Sequence, residues 1–189
     1  MAPTALAIFS NQPPLPHGFS RDESGNFSPI DFPGADATRA FGINGTGAIV
    51  GAYAKVPGNA AFIGTCTNSN LATVEVAVHG FLRTASVQYF TLDPPNATGS
   101  KNAAVTRIND AGDVVGDYTP SSVTIGRVLG DTVTLLHNFI IRGNGNFTSF
   151  DVSIGGKTPT SVPLGINAAG EIVGLYQDAG GDHGFFGQP

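Results

Sequence analysis

Short apolar runs punctuated by glycine, asparagine and proline recur along the whole chain, and one pattern returns three times. Ile43-Asn44-Gly45-Thr46-Gly47-Ala48-Ile49-Val50-Gly51 matches Ile108-Asn109-Asp110-Ala111-Gly112-Asp113-Val114-Val115-Gly116. Both match Ile166-Asn167-Ala168-Ala169-Gly170-Glu171-Ile172-Val173-Gly174. Tyr53, Tyr118 and Tyr176 follow at one common distance, so the pattern is I-N-x-x-G-x-[IV]-V-G-x-Y. This is the signature of a β-hairpin. Asn starts a turn because its side chain can bond the backbone two residues on. The Gly that follows suits a positive φ, as in a turn closed by a G1 bulge. The β-branched run after it favours a strand, and its own Gly leaves room for a neighbouring backbone.

A second set of repeats precedes each hairpin. His17-Gly18-Phe19 returns as His79-Gly80-Phe81, as His137-Asn138-Phe139 and as His183-Gly184-Phe185. Ten residues after the first three histidines stand Phe27, Tyr89 and Phe147, and fourteen after them stand Asp31, Asp93 and Asp151. Each copy therefore predicts four strands: one from the histidine, one near the aromatic residue, one ending at Ile-Asn, and the [IV]-V-G-x-Y strand. The chain reads as a single domain over 1–189, with repeats beginning near 17, 79 and 137. Ala5 to Ser10 resembles a last strand, and His183 to Phe186 a first one, so the two ends are expected to pair and close the repeat. Between copies, Ala60–Cys66 with Ala72–Val78, and Val123–Leu129 with Thr132–Ile141, predict two long projecting hairpins. Long loops on repeat proteins are where binding surfaces tend to lie.

The His-Gly-Phe start, the aromatic-x-x-x-Asp segment and the I-N-x-x-G-x-[IV]-V-G-x-Y hairpin resemble the HAF repeat, described as an extracellular bacterial repeat. The resemblance covers most of the chain outside the two long hairpins. This chain has Gly or Asn where the family name implies Ala. The resemblance implies an extracellular or cell-surface location and no particular chemistry. Four strands per copy is the content of a propeller blade. The fold expected is all-β, a repeat-built propeller or propeller-like closed assembly of four-stranded units, with a β-trefoil-like barrel as the alternative. Three copies are fewer than the usual number of blades, so a homodimer completing a ring is one expected arrangement.

Composition narrows the function classes. Charged residues make up 12% of the chain, about half the roughly 25% usual in soluble domains. The net charge is −5 and no Lys/Arg cluster is present, which argues against a nucleic-acid surface. No apolar stretch reaches the length of a membrane span. Residues Met1–Ser10 lack the basic start of a signal peptide. With one cysteine, Cys66, an internal disulfide and a thiolate zinc site are excluded. An inert buried thiol is its expected role.

Candidate chemistry is sparse. His17, His79, His137 and His183 are expected to fix strand ends by bonding backbone groups, and Asp31, Asp93 and Asp151 to cap turns. If any act catalytically, His79 and His137 are the candidates. The middle copy differs from the others. It alone gathers Asn109, Asp110, Asp113 and Asp117 beside Arg107, where the other copies have Gly42 and Gly165. Oxygen ligands on a glycine-containing turn suit Ca²⁺, with Asp113 and Asp117 sharing a strand face. Asp178 and Asp182 form a weaker acidic pair. Arg107 and Tyr118 are the candidate binding residues. No G-x-S-x-G elbow is present.

Two functions follow as expectations. One is a ligand-binding or structural β-repeat module, its partner a small molecule or glycan. The alternative is a small calcium-dependent hydrolase of ester or lactone bonds, such as acyl-homoserine lactones, with a histidine base.

Overall fold

The computed structural model describes residues 15–55, 78–95, 102–119 and 136–189. The segment Ala5–Ser10, Cys66 and most of the two predicted long hairpins lie outside these. The described chain is all strand and turn. β1 (Gly18–Arg21) pairs with β2 (Phe27–Ile30) as a separate antiparallel sheet. β3 (Ala37–Ile43), β4 (Ile49–Ala54), β5 (Val78–Arg83) and β6 (Tyr89–Thr91) form an antiparallel meander. β7 (Asn102–Ile108), β8 (Val114–Thr119), β9 (His137–Ile141) and β10 (Phe147–Phe150) form a second. One parallel pair, Val78 with Asn102, joins the two meanders into an eight-stranded sheet. β11 (Thr160–Ile166), β12 (Ile172–Asp178) and β13 (Gly181–Gly187) complete the fold as a three-stranded sheet. Among the described residues no helix is long and apolar enough to cross a membrane.

Two expectations are corrected here. The sheets are antiparallel apart from the one parallel β5–β7 pair, and none closes into a barrel or curls into a propeller. Neither the propeller-like closure nor the trefoil alternative is formed. Among the described residues β13 pairs with β12, from Ile172↔Gly187 to Asp178↔Gly181, and with no other strand; the expected pairing with Ala5–Ser10 falls outside them. β1 pairs with β2 alone. The grouping of strands also differs. Each hairpin pairs not with the histidine strand before it but with the one after it: Tyr53 with His79, Tyr118 with His137, Tyr176 with His183. A structural unit is therefore a hairpin plus the next histidine strand, followed in the first two units by the aromatic strand β6 or β10.

The I-N-x-x-G turns form as the pattern predicts. Gly47, Gly112 and Gly170 have φ of 84°, 82° and 79°. The Asn side chains accept the N–H of Ala48, Asp113 and Glu171. Each hairpin also carries the same one-residue bulge on its first strand, between Ala40 and Gly42, Val105 and Arg107, and Pro163 and Gly165. The glycine of the second strand is required by its neighbours. A Cβ on Gly116 would meet the Ala104 carbonyl oxygen and the Phe139 ring, and Gly51 and Gly174 face the same crowding.

Core side chains alternate between the two faces of each unit. Ile49 and Tyr53 pack with Ile30 and Phe81 on one side. Val50, one residue on, packs with Val105, Val114 and Phe139 on the other. Val115, Ile140 and Ile172 form the next layer. Each such side chain, fully buried, contributes about 1.5–3 kcal/mol. The core therefore lies between units rather than inside any one of them.

Candidate functional site

The antiparallel register that pairs Gly18 with Ile30 sets His17 opposite Asp31. The same holds for His79 with Asp93 and His137 with Asp151. In each case imidazole Nδ1–H donates to the carboxylate, at 2.8 Å, 2.8 Å and 3.0 Å. The histidines thus bond carboxylates rather than backbone groups, and the aspartates serve them rather than the turns. Tyrosines complete the arrangement. Tyr53 stacks on His79 with ring centroids 5.2 Å apart, Tyr118 lies 5.6 Å from His137, and Tyr176 lies 5.0 Å from His183. The hydroxyls of Tyr53 and Tyr118 bond Thr91 and Ser149. His183 bonds Asp178 through Nε2 at 3.1 Å. The histidines do not converge. Among the described residues no three His, Cys, Asp or Glu side chains gather into a metal-holding group.

The three hairpin turns lie side by side and are bonded to one another. Asn44 Nδ2 donates to the carbonyl of Asn109 at 3.0 Å, and Asn109 Nδ2 donates to the carbonyl of Asn167 at 2.9 Å. Asn167 Nδ2 turns back to Glu171. The carboxylates of the middle turn diverge into this framework. Asp110 accepts the Gly45 N–H at 2.6 Å, on the turn before it. Asp113 accepts the Gly143 N–H at 2.9 Å and Arg142 at 3.2 Å, on the β9–β10 turn. Burial raises the Asp113 pKa, but the Gly143 N–H, the Asn109 amide and the Arg142 guanidinium outweigh it and hold the carboxyl below its ordinary value. Asp113 precedes β8, while Asp117 lies within it, opposite Asn138. The oxygens of Asn109, Asp110 and Asp113 are thus aimed at N–H groups, not at a common point.

Arg107 donates to the carbonyls of Phe41 and Thr106, bracing the β7 bulge against β3. Tyr118 is buried. Asn138 stands where the other copies have Gly and is fully buried, its Nδ2 donating to Ser161 Oγ at 2.6 Å. Thr106 Oγ1 donates to the Pro163 carbonyl at 2.6 Å. These two residues tie the β7–β10 unit to β11. Their departure from the copies beside them was the available sequence signal.

Among the described residues an open cleft of about 280 Å³ lies beside β12. Ile154, Lys157, Thr158, Pro159, Gln177 and Asp178 line it. Asp178 is held below its ordinary pKa by the Gly180 N–H, His183 and Lys157. Asp182 is bonded by Gln177 Nε2 at 3.0 Å. The cleft is shallow, and its carboxylate and amide are already bonded to Gly180, His183 and Asp182.

No protein-family model matches the chain, and no curated protein and no solved structure is significantly similar to it. The likeness to HAF repeats rests on the short motifs alone.

Proposed function

We propose that this chain is a non-catalytic β-repeat module of the extracellular type, with a structural or ligand-binding role. One observation carries the reading: the polar side chains that recur are spent on bonds within and between units. Asn44 and Asn109 bridge adjacent turns. Asp31, Asp93 and Asp151 each orient a histidine in the same way. Groups that recur in this way serve the scaffold. The cleft beside Lys157 and Asp178 is the place for a small molecule or glycan. A second copy of the chain is the macromolecular partner that fits a module of stacked units. A glycan array and a thermal-shift screen test the reading, with Lys157→Ala and Gln177→Ala expected to abolish any ligand shift. A full screen without a ligand, together with turnover of an ester, would sink it.

A second reading is a small ester or lactone hydrolase. The Asp-oriented imidazoles of His79 and His137 favour it, because a carboxylate on Nδ1 fixes the tautomer a general base needs. Assay on short acyl esters and acyl-homoserine lactones, with and without chelator, decides it. Activity lost in His79→Gln or His137→Gln would support it.

A further inference from the structure

We propose that copies of this chain associate head to tail, the β1–β2 face of one copy covering the β12–β13 face of the next. The inference rests on the module reading above and names the partner's surface.

The starting point is a pair of side chains that repeats. In each unit the valine of the hairpin's second strand sits opposite an apolar residue on the following histidine strand. The pairs are Val50 with Leu82, Val115 with Ile140, and Val173 with Phe186. The first two are covered by the next unit. Val50 is buried, and Leu82 is packed against the same cluster of Val105, Val114 and Phe139. Val115 and Ile140 are buried against Ile172, with Phe185 and Ile166 alongside. The third pair is left open among the described residues. Val173 is 47% exposed and Phe186 69% exposed, with Leu175 exposed on the same face of β12. The strand is built like the others, but its face stays exposed among the described residues.

The opposite end presents the complementary side. In both internal junctions, the covering unit contributes the phenylalanine of its histidine strand: Phe139 over Val50, and Phe185 in the Val115 layer. Phe147, ten residues after His137, joins the first of these. The residues at these positions in the first histidine strand and its partner are Phe19 and Phe27. They form an edge-to-face pair with centroids 5.5 Å apart. They are 64% and 66% exposed, whereas Phe81 and Phe139 are fully buried. Large apolar side chains facing water in register on both ends are costly to leave uncovered, and a stack of repeats needs polar caps for solubility. Among the described residues neither face is covered by one. Docking Phe19 and Phe27 of one copy on Val173 and Phe186 of another repeats the phenylalanine part of a junction the chain already makes twice within itself, where hairpin residues such as Val105, Val114 and Ile172 cover the rest. Such a contact joins two different surfaces, so it is heterologous rather than self-complementary.

The test is light scattering and sedimentation of the full chain over a range of concentrations. Wild type is expected to exceed the monomer mass, more so as concentration rises. A tail variant, Val173→Lys with Phe186→Lys, and a head variant, Phe19→Lys with Phe27→Lys, are each expected to weaken association by at least roughly a hundredfold, given the side-chain area lost from the contact. Mixed together, the two variants are expected to recover association that stops at two chains, since each keeps one good end. Phe186→Ser and Phe27→Ser replace the double variants if circular dichroism shows those unfolded. A wild type that stays monomeric throughout, its ends covered by its own chain or reserved for another partner, overturns the proposal. So does a head variant that associates as tightly as wild type, which would mean tail-to-tail contact. Ester turnover by the wild type would remove the module reading and leave the association data standing. A monomer that binds a glycan would remove this inference alone.

Discussion

Asn44 reaches across from one turn to the next and donates through Nδ2 to the main-chain oxygen of Asn109 at 3.0 Å. Asn109 repeats the act toward Asn167 while its own Oδ1 receives the Asp113 N–H. One buried amide thus closes its own turn and binds the next. Asn109→Ala is expected to cost about 2–3 kcal/mol, two or three bonds at roughly 1 kcal/mol each. Asn44→Ala is expected to cost less, because Asn44 is less buried. Chemical denaturation of both variants measures the difference.

Val87 occupies the left-handed region with φ of 63°, where Gly25 and Gly145 stand in the matching turns. A β-branched residue is strained there by about 1–2 kcal/mol. The side chain is exposed, so little burial is lost on removing it. Val87→Gly is expected to stabilise the fold by about 1 kcal/mol after the glycine's larger unfolded-state entropy is deducted. A higher denaturation midpoint at unchanged slope checks it; a lower midpoint would refute the strain argument.

Gly116→Ala is expected to destabilise by more than about 3 kcal/mol, because the added methyl meets backbone as well as the Phe139 ring. Gly145 has nothing within 4 Å of a built Cβ but holds φ at 86°. Gly145→Ala is therefore expected to cost only about 1 kcal/mol of backbone strain. Comparing the two separates crowding from conformation.

Asp113 binds its proton less readily folded than unfolded. Its contribution is therefore fully present above the ordinary aspartate value of about 3.9 and is lost as pH falls through the lower, folded value. Asp113→Asn is expected to lower the melting temperature at neutral pH and to flatten its fall under acid. A melting curve against pH for both proteins gives the answer. A variant with the same acid slope as wild type would show that Gly143 and Arg142 contribute nothing through this carboxylate.

The hairpins were legible because their chemistry is local. Asn at the turn, Gly at positive φ and a β-branched strand lie within one short stretch, and Asn44, Asn109 and Asn167 all behave accordingly. The grouping of strands into sheets was not legible. Tyr53 is equally a strand residue whether its partner is Phe19 or His79, and alternation alone does not choose between them. The His–Asp pairs could have been found: a constant spacing of fourteen residues across a turn is what an antiparallel register imposes on facing positions. The further partners of the carboxylates near Asn109 were not legible, because they stand on distant stretches of the chain. Asp110 answers to Gly45 and Asp113 to Gly143, both on other turns.

In the ladder of turns, the same residue is both giver and receiver. Asn109 takes a hydrogen bond on its carbonyl from Asn44 and passes one on from its side chain to Asn167. Duplicating one such stretch of gene would deliver both halves of a new junction together, with no second mutation needed on either neighbour. A chain so made can lengthen or shorten by whole units while every remaining turn keeps the partner chemistry it had.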